Sequence, residues 1–222
     1  PAGAIIQGAT NNGPVTVDGV TTYSWTVKRA NLEVSEDGIT LKNVSFVSAS
    51  DDSSDVALTF TTYVFEKGSS DPVSPSATYT VTVDGVTDGA ILNPVDAVGV
   101  EDKVTAIDLG AELIDIVGTS EETYIQLSGL PADCTFTDAD GVTLTLASEP
   151  VLDPDTNTTT WTFSTTEVAA LGLMTGGKLY VVGPANVSGS WNLTAQAFTR
   201  DTDGANAQWV ASNALPLTLT LT

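Results

Sequence analysis

The chain has 222 residues, with 28 acidic and 7 basic side chains, no histidine, one cysteine and a formal net charge of −21 at pH 7. That charge repels nucleic-acid phosphates and anionic membrane surfaces, so neither is expected as a partner. The composition also excludes Ser-His-Asp and Cys-His triads, zinc sites built from histidine or cysteine, and an intrachain disulfide. Oxygen-liganded cations remain compatible with it.

Six segments alternate apolar and polar residues with period two, as strands with one buried face do. In chain order the predicted strands are 57–64, 77–83, 124–127, 141–146, 191–198 and 215–221. One segment, 166–173, predicts a single helical turn that opens at a Ser or Thr cap and closes at Gly172. The apolar runs are too short for a membrane span. The sequence therefore predicts an all-β protein without membrane insertion.

An internal repeat indicates two domains. Its matched segments are Trp25-Thr-Val27 with Trp161-Thr-Phe163, and Ala57-Leu-Thr59 with Asn192-Leu-Thr194. Gly, Pro and Asp punctuate residues 84–99, which lack sustained alternation and predict a short acidic linker. We expect two tandem Ig-like antiparallel β-sandwiches, at residues 1–93 and 94–222. The first segment carries 11 acidic and 4 basic residues and the second 17 and 3, so the second holds most of the negative charge.

Acidic residues cluster around this boundary, with Asp88, Asp96, Glu101 and Asp102 inside fifteen positions. In a sandwich, the incoming linker and the last hairpin loop share one pole, so we expect Asp201 and Asp203 near Glu101. Carboxylates from a linker and a neighbouring loop can supply the six to eight oxygen ligands that Ca²⁺ requires, at about 2.3–2.6 Å. The cluster predicts a Ca²⁺ site, and simple solvated acidic loops are the alternative.

A second candidate is Asp115-Ile-Val-Gly-Thr-Ser-Glu121, in which the glycine lets both carboxylates face one ion. An ordinary glycine turn explains the same pattern equally well. The segment Asp138-Ala-Asp-Gly141, by contrast, predicts a hairpin turn. The complete set of predicted metal ligands is Asp88, Asp96, Glu101, Asp102, Asp115, Glu121, Asp201 and Asp203.

Catalysis is not expected, although paired carboxylates could in principle serve a glycosidase. Aromatic residues make up only 7% of the chain, and the repeated positions of Trp25 and Trp161 indicate core packing rather than a substrate cleft. Trp191 is expected to pack, whereas Trp209 could be exposed at the edge of a strand and contact a ligand. Cys134 has no basic neighbour and is expected to be a small core residue.

The second half resembles the Ig-like or cadherin-like repeats of giant bacterial surface adhesins of the RTX type. The residues that carry this resemblance are Val100-Glu-Asp102, Asp115-x-x-Gly-x-Ser-Glu121, Leu127-Ser-Gly-Leu-Pro131, Trp161-Thr-Phe163 with Val168-Ala-Ala-Leu-Gly-Leu173, and the segment from Gly189 to Gly204. It covers most of residues 95–222. At Asp88-Gly89-Ala90 the chain departs from the Asp-Ala-Pro that the family commonly has at its linker.

The resemblance implies a non-catalytic extender of a secreted adhesin at the bacterial cell surface, supporting cell adhesion and biofilm formation. Tandem domains would be stiffened by Ca²⁺ at the linker, with neighbouring repeats of the same chain as partners and the segment itself a monomer. The alternative is a ligand-binding module of the same kind of adhesin, which recognises a surface peptide or glycan through a loop held by Ca²⁺, with Trp209, Asp201 and Asp203 at its mouth. Because the chain starts at Pro1 without a leader, we expect a piece of a longer polypeptide or a mature fragment. The terminal glycine-rich calcium nonapeptides of such adhesins do not occur in the sequence, so the resemblance implies an interior segment.

Overall fold

The computed structural model describes residues 2–36, 38–49, 52–68, 70–114, 120–202 and 208–222. These residues form two units, Pro1–Gly85 and Val86–Thr222. The described elements are β-strands apart from one short α-helix and one 3-10 turn, and their pairings are antiparallel with one exception. The predicted all-β antiparallel class is confirmed.

The first unit consists of antiparallel strand pairs. Strand β1 (Ile5–Gln7) pairs with β6 (Ser45–Val47), and the other pairs are β2 with β3, β4 with β5 and β7 with β8. Their bounds are Ala9–Val17, Val20–Val27, Leu32–Ser35, Gly38–Leu41, Val56–Thr61 and Ser76–Val81. Among the described residues of this unit, Ala4 and Val56 are the only buried apolar side chains. The predicted strands at 57–64 and 77–83 are β7 and β8.

The second unit is a sandwich with one large sheet. Its strand order is β10 (Ala97–Gly99), β20 (Leu215–Leu221), β18 (Gly189–Asp201), β13 (Glu121–Pro131), β16 (Thr158–Phe163) and β15 (Val151–Asp153). A short strand, β19 (Val210–Ala211), also pairs with β18. The single parallel pairing joins β10 to β20, whereas β18 runs antiparallel to both β13 and β20.

Two smaller sheets complete this unit. One has the order β11 (Thr105–Ile107), β17 (Leu179–Val182) and β14 (Thr135–Thr137), and the other pairs β9 (Ala90–Ile91) with β12 (Glu112–Leu113). Alternate residues of the facing sheets meet in one core, which includes Ile125, Phe136 and Leu193. Strand β9 pairs within the unit that begins at Val86, and the predicted division at Pro94 stays a prediction.

Local sequence signals explain the short α-helix and the three longest strands of the second unit, β13, β18 and β20, which contain the predicted strands 124–127, 191–198 and 215–221. The predicted helical turn is α1 (Thr165–Ala170), capped by a reciprocal pair in which the Ser164 hydroxyl accepts from the Glu167 N–H and Glu167 accepts from the Ser164 N–H. The predicted strand at 141–146 is wrong. This segment makes one isolated bridge, Thr137 to Thr143. Its backbone pairs only around the Asp138 turn, where the Asp138 N–H donates to the Val142 carbonyl and the Leu144 N–H to the Phe136 carbonyl, while Leu144 and Leu146 pack partly buried against the core.

The repeat has a counterpart in local pairing. Trp25 lies on the second strand of the β2–β3 hairpin, and Trp161 on the second strand of β15–β16. The segments 57–59 and 192–194 lie on the first strands of the antiparallel pairs β7–β8 and β18–β20. Both copies of the repeated sequence therefore lie on antiparallel strand pairs, as isolated pairs in the first unit and within the large sheet in the second.

Candidate functional site

Two long neighbouring strands, β13 and β18, position the residues of interest. Their register pairs Glu121 with Asp201 and continues in step to Ser128 with Thr194. Since successive side chains alternate between the two faces of a sheet, the pairs Glu121–Asp201 and Thr123–Thr199 share the core-facing side. The alternate pairs Glu122–Arg200 and Tyr124–Phe198 lie on the outer side.

The first candidate region is an acid pole at the end of β18, defined by Glu121, Asp201 and the incoming residues 87 and 88. Asp201 is 5% exposed, and both carboxylate oxygens of Glu121 are shielded from solvent. The N–H of Asp201 donates to the Thr87 hydroxyl at 2.8 Å. Thr87 belongs to the first residues of the second unit, so the acid pole lies where the chain enters that unit, and the Asp88 side chain there is exposed.

Further hydrogen bonds connect the segments that meet at this pole. Thr202 donates to the Ser120 carbonyl from its N–H at 2.8 Å and from its hydroxyl at 2.7 Å. The Thr87 hydroxyl donates to the Gln208 carbonyl at 3.4 Å. The predicted ligands Asp115 and Asp203 lie outside the described residues. Asp203 directly follows Thr202 in the chain.

Two buried hydroxyls lie beside the acid pair. Thr199 is fully buried and Thr123 is 6% exposed, and they face each other across β13 and β18. Within the described part of the chain, neither hydroxyl oxygen has a hydrogen-bond partner. A buried polar atom without a hydrogen-bond partner destabilises a fold. Water molecules or a cation beside these hydroxyls would supply the missing partners, whereas an apolar group would not.

The other predicted ligands occupy different places. The N–H of Glu101 donates to the Thr222 carbonyl, just beyond the register pair Gly99–Leu221. Leu221 is opposite Gly189, at the far end of β18 from Asp201. Twelve residues of extended strand separate those ends by about 40 Å. The expectation that Asp201 lies near Glu101 is therefore wrong.

Asp96 and Asp102 have local structural partners. Asp96 Oδ1 accepts from the Thr218 N–H at 2.7 Å, which extends the β10–β20 ladder by one position. Asp102, in a left-handed conformation with φ of 59°, accepts from the Asn186 N–H at 3.0 Å. Asp138 holds its predicted turn by accepting from the N–H groups of Asp140 and Val142. Across the described ranges, no three Asp, Glu or Cys side chains converge to hold a metal ion.

The second candidate region lies on the outer face of the same strands, and we call it the aromatic shelf: Glu122, Tyr124, Phe198, Arg200 and Trp209. Tyr124 and Phe198 stack across the strands, with ring centroids 4.5 Å apart and planes within 6°. Trp209 meets Tyr124 edge-on at 4.8 Å, and the Arg200 guanidinium lies 4.7 Å from the Trp209 ring centroid. These contacts hold the indole in one orientation.

The charges of the aromatic shelf are paired. Arg200 donates to Glu122 Oε2 from Nε at 2.9 Å and from Nη2 at 2.7 Å. Both side chains are little more than a third exposed, and Trp209 is 39% exposed. The exposure of Trp209 agrees with the sequence expectation. Sequence reasoning missed Glu122, Tyr124, Phe198 and Arg200 as a group, because only the pairing of strands 78 residues apart brings them together.

Cys134 is buried, and burial together with the nearby Asp133 charge raises the pKa of its thiol to about 12. That thiol therefore offers no nucleophile at neutral pH, which agrees with its expected place in the core. No helix among the described residues has the length and apolar character needed to cross a membrane.

Comparisons with known proteins add little at the level of function. No family model matches the sequence, and no curated protein matches it. The solved structures that align include one titled "BspA_C_WT" and one titled "Streptococcus agalactiae AgI/II polypeptide BspA C terminal domain (WT)". Each alignment covers 97% of this chain and 80% of the other at 13% identity, with a TM-score of 0.28. A likeness of that size carries no argument about function.

Proposed function

We propose that this chain is a non-catalytic structural segment of an extracellular bacterial adhesin, in which Ca²⁺ bound at the acid pole stiffens the entry into the second unit. The observation that carries the proposal is the hydrogen bond between Thr87 and Asp201, at the place where Asp201 faces Glu121. It fixes the first residues of the unit to a buried acid pair. An ion held there would restrain the incoming chain directly.

The electrostatics of the acid pole favour a cation. Like charges directly opposite each other on a sheet are destabilising, and burial removes the water that would otherwise screen them. Glu121 and Asp201 lie directly opposite each other in the register, and the Asp201 side chain and both Glu121 carboxylate oxygens are shielded from solvent. A divalent ion reverses the sign of that interaction, so binding is coupled to the stability of the pole.

The donor chemistry fits Ca²⁺. The acid pole offers carboxylates from Glu121 and Asp201, with Asp88 next to Thr87 and the buried hydroxyls of Thr123 and Thr199 beside them. Ca²⁺ accepts six to eight oxygens in flexible geometry, including waters, whereas Mg²⁺ demands a tight octahedron. Asp115 and Asp203 remain proposed as further ligands. Glu101 and Asp102, at the other end of β18, cannot share this ion.

Calcium titration with small-angle scattering and thermal unfolding tests the proposal. Ca²⁺ should raise the unfolding temperature of the second unit and narrow the distribution of maximum dimension, and chelation should reverse both. The double variant Glu121→Gln with Asp201→Asn should lose both responses. Glu101→Gln with Asp102→Asn is the matched control, since it removes two charges at the opposite end and should respond like the wild type. If chelation changes neither quantity in the wild type, the stiffening role is refuted.

A second function, that of a ligand-binding module, is favoured by one specific observation. Trp209 is the one exposed aromatic side chain among the described residues of the second unit, and Arg200 and Tyr124 hold its ring in place. A rigid exposed indole is a common anchor for ligands. A binding module and a structural segment are compatible, because the aromatic shelf and the acid pole lie on opposite faces of β13 and β18.

A further inference from the structure

We propose that the aromatic shelf is a binding site for a neutral pyranose at a glycan terminus, with the sugar ring stacked on Trp209 and its hydroxyls bonded to Glu122 and Arg200. The proposal refines the ligand-binding function and does not depend on Ca²⁺ at the acid pole, because it uses Trp209 and outward-facing residues of β13 and β18. It rests on the orientation of the indole, the chemistry of its rim and the charge of its surroundings.

The indole is preorganised as a platform. Arg200 lies over one face of the ring and Tyr124 meets the ring edge-on, so these two contacts fix the indole while 39% of the Trp209 surface stays open. With this much of its surface in water, the Trp209 indole contributes less hydrophobic stabilisation than a fully buried one would. Tyr124 is itself held by its stack on Phe198. A fixed ring loses little entropy when a flat ligand covers it.

The rim supplies planar hydrogen-bonding groups next to the ring. Both hydrogen bonds from Arg200 end on Glu122 Oε2, which leaves Glu122 Oε1 without a hydrogen bond from the described residues. Oε1 can accept from one sugar hydroxyl, and the guanidinium, which carries five N–H donors, can donate to a neighbouring one. A pyranose presents this combination, since one face of its ring is made of C–H groups and its edge carries adjacent hydroxyls.

Charge selects a neutral ligand. Arg200 is neutralised by Glu122, and the second half of the chain carries 17 acidic against 3 basic residues. An anionic sugar or an acidic peptide would therefore approach a repulsive surface. A peptide would also need an open strand edge or side-chain pockets, and the flat, mixed surface of a single ring with an ion pair offers neither.

Saturation-transfer and ¹H–¹⁵N NMR of the full chain test this site, with methyl glycosides of glucose, galactose, mannose and N-acetylglucosamine as probes. At least one glycoside should shift the Trp209 indole N–H signal, assigned by its loss in Trp209→Phe, and should leave the Trp191 signal unmoved. Trp209→Ala should weaken that binding about tenfold or more, as truncation of an aromatic anchor does. Trp191→Phe, at the far end of β18, is the matched control and should bind normally.

Glu122→Gln is a second variant, which removes the carboxylate charge beside the ring and leaves Trp209 in place. It should weaken glycoside binding. Its unfolding temperature should change by no more than that of the Trp191→Phe control. Sialyllactose and a proline-rich peptide are the competing probes. The proposal is overturned if no glycoside shifts the Trp209 signal, if Trp209→Ala binds as the wild type does, or if either competing probe binds more tightly than every neutral glycoside.

Discussion

Gly129 is the position at which a single added carbon should do most damage to the strands that carry both candidate regions. It has a φ of 90° and lies at the bulge between Ser128 and Leu130, where the register of β13 against β16 shifts. A Cβ at Gly129 would clash with the backbone carbonyl oxygen of Asn192 on β18 and would lie 3.3 Å from the Leu193 Cα. The obstacle is backbone, so no side-chain rotation relieves it.

Gly176 is a matched control, because it also has a φ of 90° but a Cβ there would meet nothing within 4 Å. Gly176→Ala should therefore cost only the positive-φ penalty, about 1–2 kcal/mol. Gly129→Ala should cost the same penalty plus about 1–3 kcal/mol for forcing two strands apart. At a urea dependence of about 1–3 kcal/mol/M, the Gly129→Ala midpoint should fall about 1 M below that of Gly176→Ala.

The assay is urea unfolding followed by tryptophan fluorescence, with hydrogen exchange of the β13 amides to assign the transition to the second unit. Gly129→Ala should also speed exchange on β13, whereas Gly176→Ala should leave those amides protected. Equal midpoints for the two variants would show that the sheet yields at no cost, and would refute the steric reasoning.

Two further predictions concern ionisable groups. Burial alone would raise the pKa of Glu167, but hydrogen bonds from Ser164 and from the Ala147 N–H outweigh it and leave the pKa lowered. Its contribution to stability should be complete above the unfolded-state pKa of about 4.3 and lost as the pH falls through the lower folded-state pKa. The unfolding temperature of Glu167→Gln should therefore depend less on pH in this range than that of the wild type. Cys134, with its pKa raised to about 12, should resist iodoacetamide at pH 9 in the native chain and react in urea, which mass spectrometry can measure. The free energy of unfolding should fall as the pH rises above about 8.5, where the thiol of the unfolded chain ionises. Rapid labelling of the native chain would contradict the burial of Cys134.

The alternation of apolar and polar residues was sufficient to predict a strand where that strand is long and has one buried face. The predicted strand at 191–198 lies inside β18 and the one at 215–221 is β20, and both carry buried residues at every second position along most of their length. The same signal failed at 141–146, since alternation reports which side chains are buried and does not report whether the backbone finds a neighbouring strand. The helical turn was predicted because its cap, Ser164 with Glu167, is local.

The placement of Glu101 was wrong for a topological reason. The sequence interpretation took residues up to 99 as linker, so Glu101 was expected at the pole where the chain enters. In the structure, β9 and β10 already belong to the second unit, and β10 runs parallel to β20. The chain has therefore crossed the length of the sheet before it reaches Glu101. Strands of two or three residues carry too few positions to show a period, so their presence could not be predicted.

The two candidate regions share a cause, which is the register of β13 against β18. Odd-numbered positions turn Glu121 and Asp201 toward the core, and the next positions turn Glu122 and Arg200 outward. A slip of one residue would exchange the faces and destroy both regions together. Substitution of one side chain leaves the backbone register intact, so Asp201→Asn should abolish the response to Ca²⁺ and preserve glycoside binding, and Trp209→Ala should do the reverse. Gly129→Ala, which strains the register itself, should weaken both, and this joint loss distinguishes a shared scaffold from two unrelated sites.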